Sequence, residues 1–400
     1  MNILFICNKS PYPPKEGGSI AMYNIIIGLL KHNFNVKVLT ISTPKLLVDV
    51  TKISDDFIER TGFESFFINT TPRFSAAFKN LFSCKAYHIS RFESQPFANK
   101  IISVLKTNKF DIIQLESLFV APYVNIIRQY SDARIVLRSH NIEHLIWKRI
   151  AASEKNIIKK MYLKMQSRRL MRYELSVLNS FDGIASITNT DAEYFKNNGC
   201  TTPIETIPFG IDNTDGDLSH ITREYPSLFF LGTLNWIPNT DGLKWFIDNV
   251  WNAISEAYPD LNFYIAGRHT PLWLKRLNKR RIIVLGEIDD ALSFMYSKSV
   301  MIVPLFSGSG MRVKIIEAMY ASDAIVSTTI GAEGINYTHE KNILIANTPY
   351  EFIKAIQLCI ENQKYCENLG SEAKNLVLNK YLNDTIIDKL TAFYKGLLRQ

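Results

Sequence analysis

The sequence predicts an α/β protein made of two doubly wound, parallel-sheet domains, and three observations carry that expectation. Short β-rich apolar runs alternate with helical patterns along the whole chain, the order that lays parallel strands beneath covering helices. The runs fall into two sets, separated at residues 207–227 by IPFGIDNTDGDLSHITREYPS, a stretch of turn chemistry without apolar periodicity. A length of 400 residues with 46% hydrophobic composition is enough for two cores.

In order, the first set of strands is NILFIC, FNVKVLTI, DIIQLES, ARIVLRSH and GIASIT, with helical patterns such as SIAMYNIIIGLLKH and PFANKIISVLKTN between them. The second set is SLFFLGT, NFYIAG, RIIVLGE, SVMIVPLF, AIVSTT and NILIA. The domain limits expected are 1–208 and 209–380, followed by a C-terminal helix in 381–400. Doubly wound sheets bind ligands beyond the carboxyl ends of their strands. Two such domains facing each other would enclose a cleft, and the loops directly after strands should carry the chemistry.

Composition narrows the setting. Five scattered cysteines (Cys7, Cys84, Cys200, Cys359, Cys366) lack metal-ligand spacing and read as reduced thiols of a cytoplasmic protein. The N-terminus enters a strand with no basic stretch ahead of an apolar one, so no secretory signal is expected. No run approaches the ~20 apolar residues of a membrane span. Charge is uneven: residues 1–210 hold 27 Lys and Arg against 17 Asp and Glu, whereas residues 211–400 hold 19 against 21. The basic first half points to a negative partner. Within it, residues 147–173 carry nine Lys and Arg against one Glu, with Ile157, Ile158, Met161, Met165 and Leu170 recurring as an apolar stripe. A basic amphipathic helix of this kind suits the anionic inner face of a cytoplasmic membrane or a diphosphate-linked lipid acceptor; the plain alternative is a solvated face over a buried stripe. No nucleic-acid recognition motif accompanies the charge.

The most informative stretch is SGSGMRVKIIEAM, residues 307–319, after the strand SVMIVPLF. Glycines let backbone approach a ligand, and a helix N-terminus presents N–H groups and a positive dipole end to phosphate. Gly310, Lys314 and Glu317 are spaced i, i+4, i+7, for one face of a helix expected to include them all; Arg312 lies in its first turn. Two cations and the amides would neutralise a diphosphate, and the Glu317 carboxylate would accept from both hydroxyls of a ribose. The alternative on spacing alone is a Gly-rich turn with a Lys314–Glu317 surface pair.

These residues, with STTIGAEGI (327–335), FLGTLNWIPNTDGLKWF (230–246), IPFGID (207–212) and an early GGS (17–19), give the chain a resemblance to family 4 glycosyltransferases of the GT-B fold, in a sub-branch with a GSG-x-R-x-K-x-x-E donor loop. The resemblance implies two Rossmann-like domains, the first binding the acceptor and the second the nucleotide-sugar donor, with the C-terminal helix packing back on the first. It implies sugar transfer from a nucleotide-diphosphate sugar to a glycan or lipid-linked acceptor with retained anomeric configuration, in surface polysaccharide or glycan assembly, with no metal and no other cofactor. Glu317 matches the family's ribose-holding Glu. Ser309 stands where the family often has a first Glu, so donor-sugar contacts are assigned to Gly308, Ser309, Gly310 and Met311. Thr233 stands where a diphosphate-gripping Arg is usual, so Arg312 and Lys314 are read as its replacement. By the same resemblance Gly17 and Gly18 meet the phosphate, and His140 contacts the donor sugar and polarises the transition state.

Other motifs weigh less. The loop after NILFIC lacks G-x-G-x-x-G, which disfavours a nicotinamide cofactor. HNIEH, residues 140–144, matches H-x-x-E-H but follows a strand directly, whereas a zinc peptidase needs it on a helix with a third ligand. Asp215 and Asp217 form a D-x-D in the interdomain stretch and read as turn chemistry. Gly331, Glu333 and Gly334 are expected to shape the nucleotide side, and VLGEIDD (284–290) to meet the base through backbone atoms. Trp236 stands in the loop after SLFFLGT, where it would line the cleft, but core or rim packing is the plainer reading. Competing functions are a non-catalytic sugar-nucleotide or glycan-binding scaffold, which Thr233 and Ser309 keep open, and an epimerase or phosphorylase on the same fold.

Overall fold

The structure, a computed structural model, describes residues 1–14, 17–72, 80, 83, 85–213, 221–308 and 310–399. Two units result: unit 1 comprises Met1–Gly210 and Ile386–Gln400, unit 2 Ile211–Thr385. Ser309, Asp215, Asp217 and Cys84 lie outside the described residues.

Unit 1 holds a seven-stranded sheet of β1 (Asn2–Cys7), β2 (Asn35–Ser42), β3 (Glu64–Phe67), β4 (Ile112–Glu116), β5 (Arg134–Ser139), β6 (Gly183–Ser186) and β7 (Ile204–Thr206). The order is β3-β2-β1-β4-β5-β6-β7, and every pairing is parallel. Unit 2 holds six strands, β8 (Ser227–Leu231), β9 (Asn262–Ala266), β10 (Ile282–Gly286), β11 (Val300–Val303), β12 (Ala324–Ser327) and β13 (Leu344–Ile345). They run β10-β9-β8-β11-β12-β13, again all parallel. The eleven expected runs are all strands. The two that sequence patterning does not reveal, β3 and β7, are sheet edges with half-exposed residues, so neither needs the apolar run that marks a strand covered on both faces. The run SVMIVPLF is strand only over Val300–Val303, since Pro304 has no N–H to continue the ladder.

Period-two alternation divides the core of unit 1. Leu4, Ile6, Leu115 and Leu137 face one way, while Ile3, Phe5, Ile112 and Val136 face the other. On the second face lies α1 (Gly17–Lys31), with Met22, Ile25, Ile26 and Leu29 inward. The single amphipathic helix expected over 147–173 is instead two helices, α2 (Glu143–Ser153) and α3 (Ile157–Val177), broken at residues 154–156. Asn156 caps the second by accepting from Lys159 N, so the chain restarts there. The apolar stripe splits as well. Leu163 and Leu170 turn into the core, whereas Ile157, Ile158 and Met161 face solvent.

In unit 2 the helix after β11 is α4 (Val313–Tyr320), shorter than expected. Gly310, at φ +81°, lies in the left-handed region ahead of it, so the proposed helical face loses its first member. The last helix, α5 (Asn383–Leu398), contributes Ile386, Ile387, Leu390, Tyr394 and Leu397 to the α1 side of unit 1's core. The approach is close: a Cβ on Gly28 of α1 would stand 2.4 Å from Ile387 Cγ1.

Candidate active site

Each sheet reverses its winding once, unit 1 between β1 and β4 and unit 2 between β8 and β11. The crevice at such a point, beyond the carboxyl ends, is where doubly wound sheets hold ligands. The helix that follows β1 opens on Gly17 and Gly18, and the segments after β8 and β11 contain Trp236 and Gly308, Gly310 and Arg312. Topology therefore carries the glycine segments to the two switch points.

In unit 2, Arg312 is the N-cap residue of α4, with extended backbone. Its guanidinium donates to Gly310 O and lies 5.8 Å from the Trp236 ring centroid, a cation–π arrangement. Gly308 makes this fit possible. At φ +118° it adopts a conformation closed to other residues, and a Cβ there would come 2.9 Å from Arg312 Nη2 and 3.1 Å from Trp236. Trp236 belongs to the loop after β8 and is 39% exposed, so it forms a rim and not core. Thr233 lies in the same loop and its carbonyl accepts from Asn239 Nδ2 at 2.9 Å. Arg312 thus carries a cation from its own segment to the β8 loop, in which Thr233 stands. One turn on, Lys314 Nζ and Glu317 Oε2 pair at 2.7 Å with both side chains part exposed. That surface pair is the bland alternative from spacing, and the structure forms it. Exposed helical pairs of this spacing contribute only about 0.2–0.5 kcal/mol, so the pair parts at little cost. Met311 is buried and offers a ligand backbone alone.

In unit 1, register aligns Cys7, Glu116 and Arg138 across β1, β4 and β5. His140 follows directly after β5. Its Nε2 is 2.5 Å from Glu116 Oε2, and Gln114 Nε2 donates to Glu116 Oε1 at 2.5 Å. Tyr394 of α5 donates to Gln114 Oε1. Glu116 and Arg138 are both fully buried. Arg138 Nη2 donates to Pro208 O at 3.4 Å, and burial lowers its pKa against the opposing pull of Glu116. A carboxylate only accepts, so His140 carries its proton on Nε2. Nδ1 is left on the side of Gly18, 4.0 Å from where a Gly18 Cβ would be. Lys9 Nζ would be 2.7 Å from the same Cβ. Gly18, His140 and Lys9 thus converge at the start of α1, while Gly17 is exposed with nothing against it.

The second histidine of HNIEH is committed elsewhere. His144 Nδ1 is 2.7 Å from Glu174 Oε2, and Nε2 is 2.9 Å from Tyr194 Oη. With both nitrogens engaged and its ring buried, His144 supports the α2–α3 packing. The Glu143 carboxyl beside it is pushed up to about 8, first by burial and then by Glu174, against Lys9. A cavity of about 960 Å³ in unit 1, lined by Lys85, Glu93, Tyr123, Arg169, Arg172 and Tyr173 among others, contains none of the predicted site residues.

Sequence reasoning missed Glu116, Lys9 and the contact of Trp236 with Arg312. Glu116 closes the buried strand IIQLE, and a carboxylate at a strand end next to the switch point is the signal that was available. Lys9 follows β1 by two residues, in the loop already of interest.

Fold and site together define a two-domain α/β protein with glycine-bearing segments at the switch point of each sheet. The model of Glycosyltransferase Family 4 matches residues 16–215, half of the chain, and that of Glycosyl transferases group 1 matches residues 225–362. The chain belongs to glycosyltransferase family 4 and is a glycosyltransferase. Solved structures agree on the GT-B fold. Sucrose-phosphate synthase from Thermosynechococcus elongatus superposes with a TM-score of 0.70 at 14% identity, covering 100% of both chains. Anabaena HepE in complex with UDP gives 0.66 at 15%, covering 99% of this chain and 100% of the other. An uncharacterized 44.6 kDa protein in the cps region of Klebsiella pneumoniae is 23% identical over 95% of this chain and 96% of its own.

Proposed function

We propose that the chain transfers a sugar, with retention, from a nucleoside-diphosphate sugar to a glycan or lipid-linked acceptor. The observation that carries this reading is the unit 2 cluster at the β8/β11 switch point. It combines a helix start, the Arg312 guanidinium over Trp236 and the easily parted Lys314–Glu317 pair. Arg312, Lys314 and the α4 amides hold the diphosphate, and Glu317 takes the ribose hydroxyls. Donor-sugar contacts fall to the backbone of 308–311, with Ser309 assigned there too. The first unit, with Gly17, Gly18 and His140, is assigned to phosphate and sugar, and is the proposed acceptor domain.

The charge that develops on the departing diphosphate is stabilised by Arg312 and Lys314. With no enzyme nucleophile evident among the described residues of either cluster, departure and attack occur on one face of the sugar, and the leaving phosphate takes the acceptor proton. A trapped sugar adduct on a carboxylate would overturn that mechanism. No metal enters the step. HepE is known in complex with UDP and with UDP-glucose, which supports UDP as the first nucleotide to try. For the setting we propose surface-polysaccharide or glycan assembly, supported by the Klebsiella pneumoniae relative in the cps region.

The test is calorimetric titration of UDP, GDP and ADP, with and without EDTA, on the wild-type chain and on Glu317→Ala. One diphosphate binding equally in EDTA, and weakened by the substitution, supports the reading. No binding by any, or binding only with a divalent ion, removes its physical basis.

A further inference from the structure

The tip of the α2–α3 hairpin does not belong to either candidate cluster, and it has an unusual surface. Ile157, Ile158 and Met161 are 74%, 82% and 67% exposed, the first two being the most exposed large apolar side chains among the described residues. They lie on the solvent face of α3, opposite the buried Leu163, Gln166, Ser167 and Leu170. At 100° per residue that same face continues with Lys164, Arg168 and Arg172, each exposed. The adjoining end of α2 adds exposed Lys148, Arg149 and Ile150, and Lys155 stands in the turn. Glu154 is the one acidic residue from 147 to 172 and is paired with Lys159 at 2.5 Å.

Three large apolar side chains at a helix start are costly to leave in water, and a ring of cations selects what can cover them. An acidic protein surface would satisfy the lysines and arginines but offers no apolar layer for two isoleucines and a methionine at a projecting tip. An anionic bilayer offers both at the right depths: acyl chains for the tip, phosphate headgroups for the cations behind it. No described helix is long and apolar enough to cross a membrane, so the attachment is from one side.

We propose that this tip is a docking site for an anionic lipid bilayer, with Ile157, Ile158 and Met161 entering the acyl boundary and Lys155, Lys164, Arg168 and Arg172 meeting headgroup phosphates. The inference does not rest on the catalytic reading, and it is read without turnover. It also sharpens the sequence expectation: the membrane-facing element is one end of α3, not the length of 147–173.

The experiment is flotation of the full chain with vesicles of phosphatidylcholine alone and of phosphatidylcholine mixed with phosphatidylglycerol. Expected is flotation with the mixed vesicles only, weakened by salt. In the triple variant Ile157→Ser, Ile158→Ser, Met161→Ser the affinity falls roughly a hundredfold, while nucleotide titration stays as in the wild-type chain. A separate variant, Ile158→Trp, should shift its emission to the blue on the mixed vesicles and be quenched by brominated acyl chains. Absence of flotation, equal flotation of the triple variant, or an unshifted Trp emission on bound protein each overturns the proposal. So does sedimentation showing a dimer that only the triple variant dissolves, since the occupant would then be a second copy.

Discussion

Glu116 Oε2 and His140 Nε2 are 2.5 Å apart, and the carboxylate is fully buried while the imidazole reaches the loop that opens α1. The pair holds His140 in the tautomer that turns Nδ1 toward Gly18, so Glu116 positions the ring and does not itself touch a ligand. Glu116→Gln should remove the fixed tautomer, visible as loss of the single Nε2–H form in ring ¹⁵N spectra. We expect donor turnover to fall by about 10–100-fold with the donor KM little changed. A proportional rise in KM with turnover intact would show that His140 serves binding alone.

Arg312 is held by Gly310 O and by the Trp236 face. Arg312→Ala should weaken nucleoside-diphosphate binding by about 10–100-fold, and Arg312→Lys should recover only part of it because the planar stack is lost. Trp236 emission should change on nucleotide binding in the wild-type chain and much less in Arg312→Ala. Full rescue by Lys would mean that charge alone matters at this position.

Glu317 is assigned to the ribose, which makes a specific demand on the ligand. Glu317→Ala should weaken UDP binding by roughly tenfold yet leave 2′,3′-dideoxy-UDP unchanged, since a carboxylate–hydroxyl bond is worth about 1.5 kcal/mol. Equal losses for both nucleotides would place Glu317 in the Lys314 ion pair alone.

His88 is buried and stacks on Trp147 with ring centroids 3.7 Å apart. Burial, with Arg91 next in effect, pushes its pKa down from 6.5 to about 4. The unfolded chain therefore takes up a proton below 6.5 that the folded chain refuses. Stability from this group is complete above that pH and is lost as pH falls toward about 4, an effect of about 3 kcal/mol. His88→Phe should flatten the acid limb of unit 1's unfolding curve relative to wild type. Identical acid limbs in the two proteins would show that His88 protonates in place.

The α5 helix closes one face of the first sheet, and Gly28 is where it comes nearest. Gly28→Leu should displace Ile387 and cost about 1–3 kcal/mol in chemical unfolding. Deleting 381–400 uncovers Ile3, Phe5 and Val136 and should leave unit 1 without a cooperative transition. A truncated chain that unfolds as sharply as the full one would mean that α5 is dispensable.

The residues themselves determined the alternation of strands and helices, the two sets, the glycine loops and the run Arg312, Lys314, Glu317, because helical and strand periods and turn chemistry are local properties of the chain. They did not determine which residues those loops would meet. Trp236 and Arg312 come from separate loops, and Glu116 and His140, 24 residues apart, meet because β4 and β5 pair in a register that only the assembled sheet selects. The same holds for 147–173. Its composition reads as one basic amphipathic helix, but the chain breaks at the Asn156 cap, and the burial of Leu163 and Leu170 leaves Ile157, Ile158 and Met161 in solvent. Long-range register and the choice of buried face are settled by the burial free energy of the whole core, which no window of sequence contains.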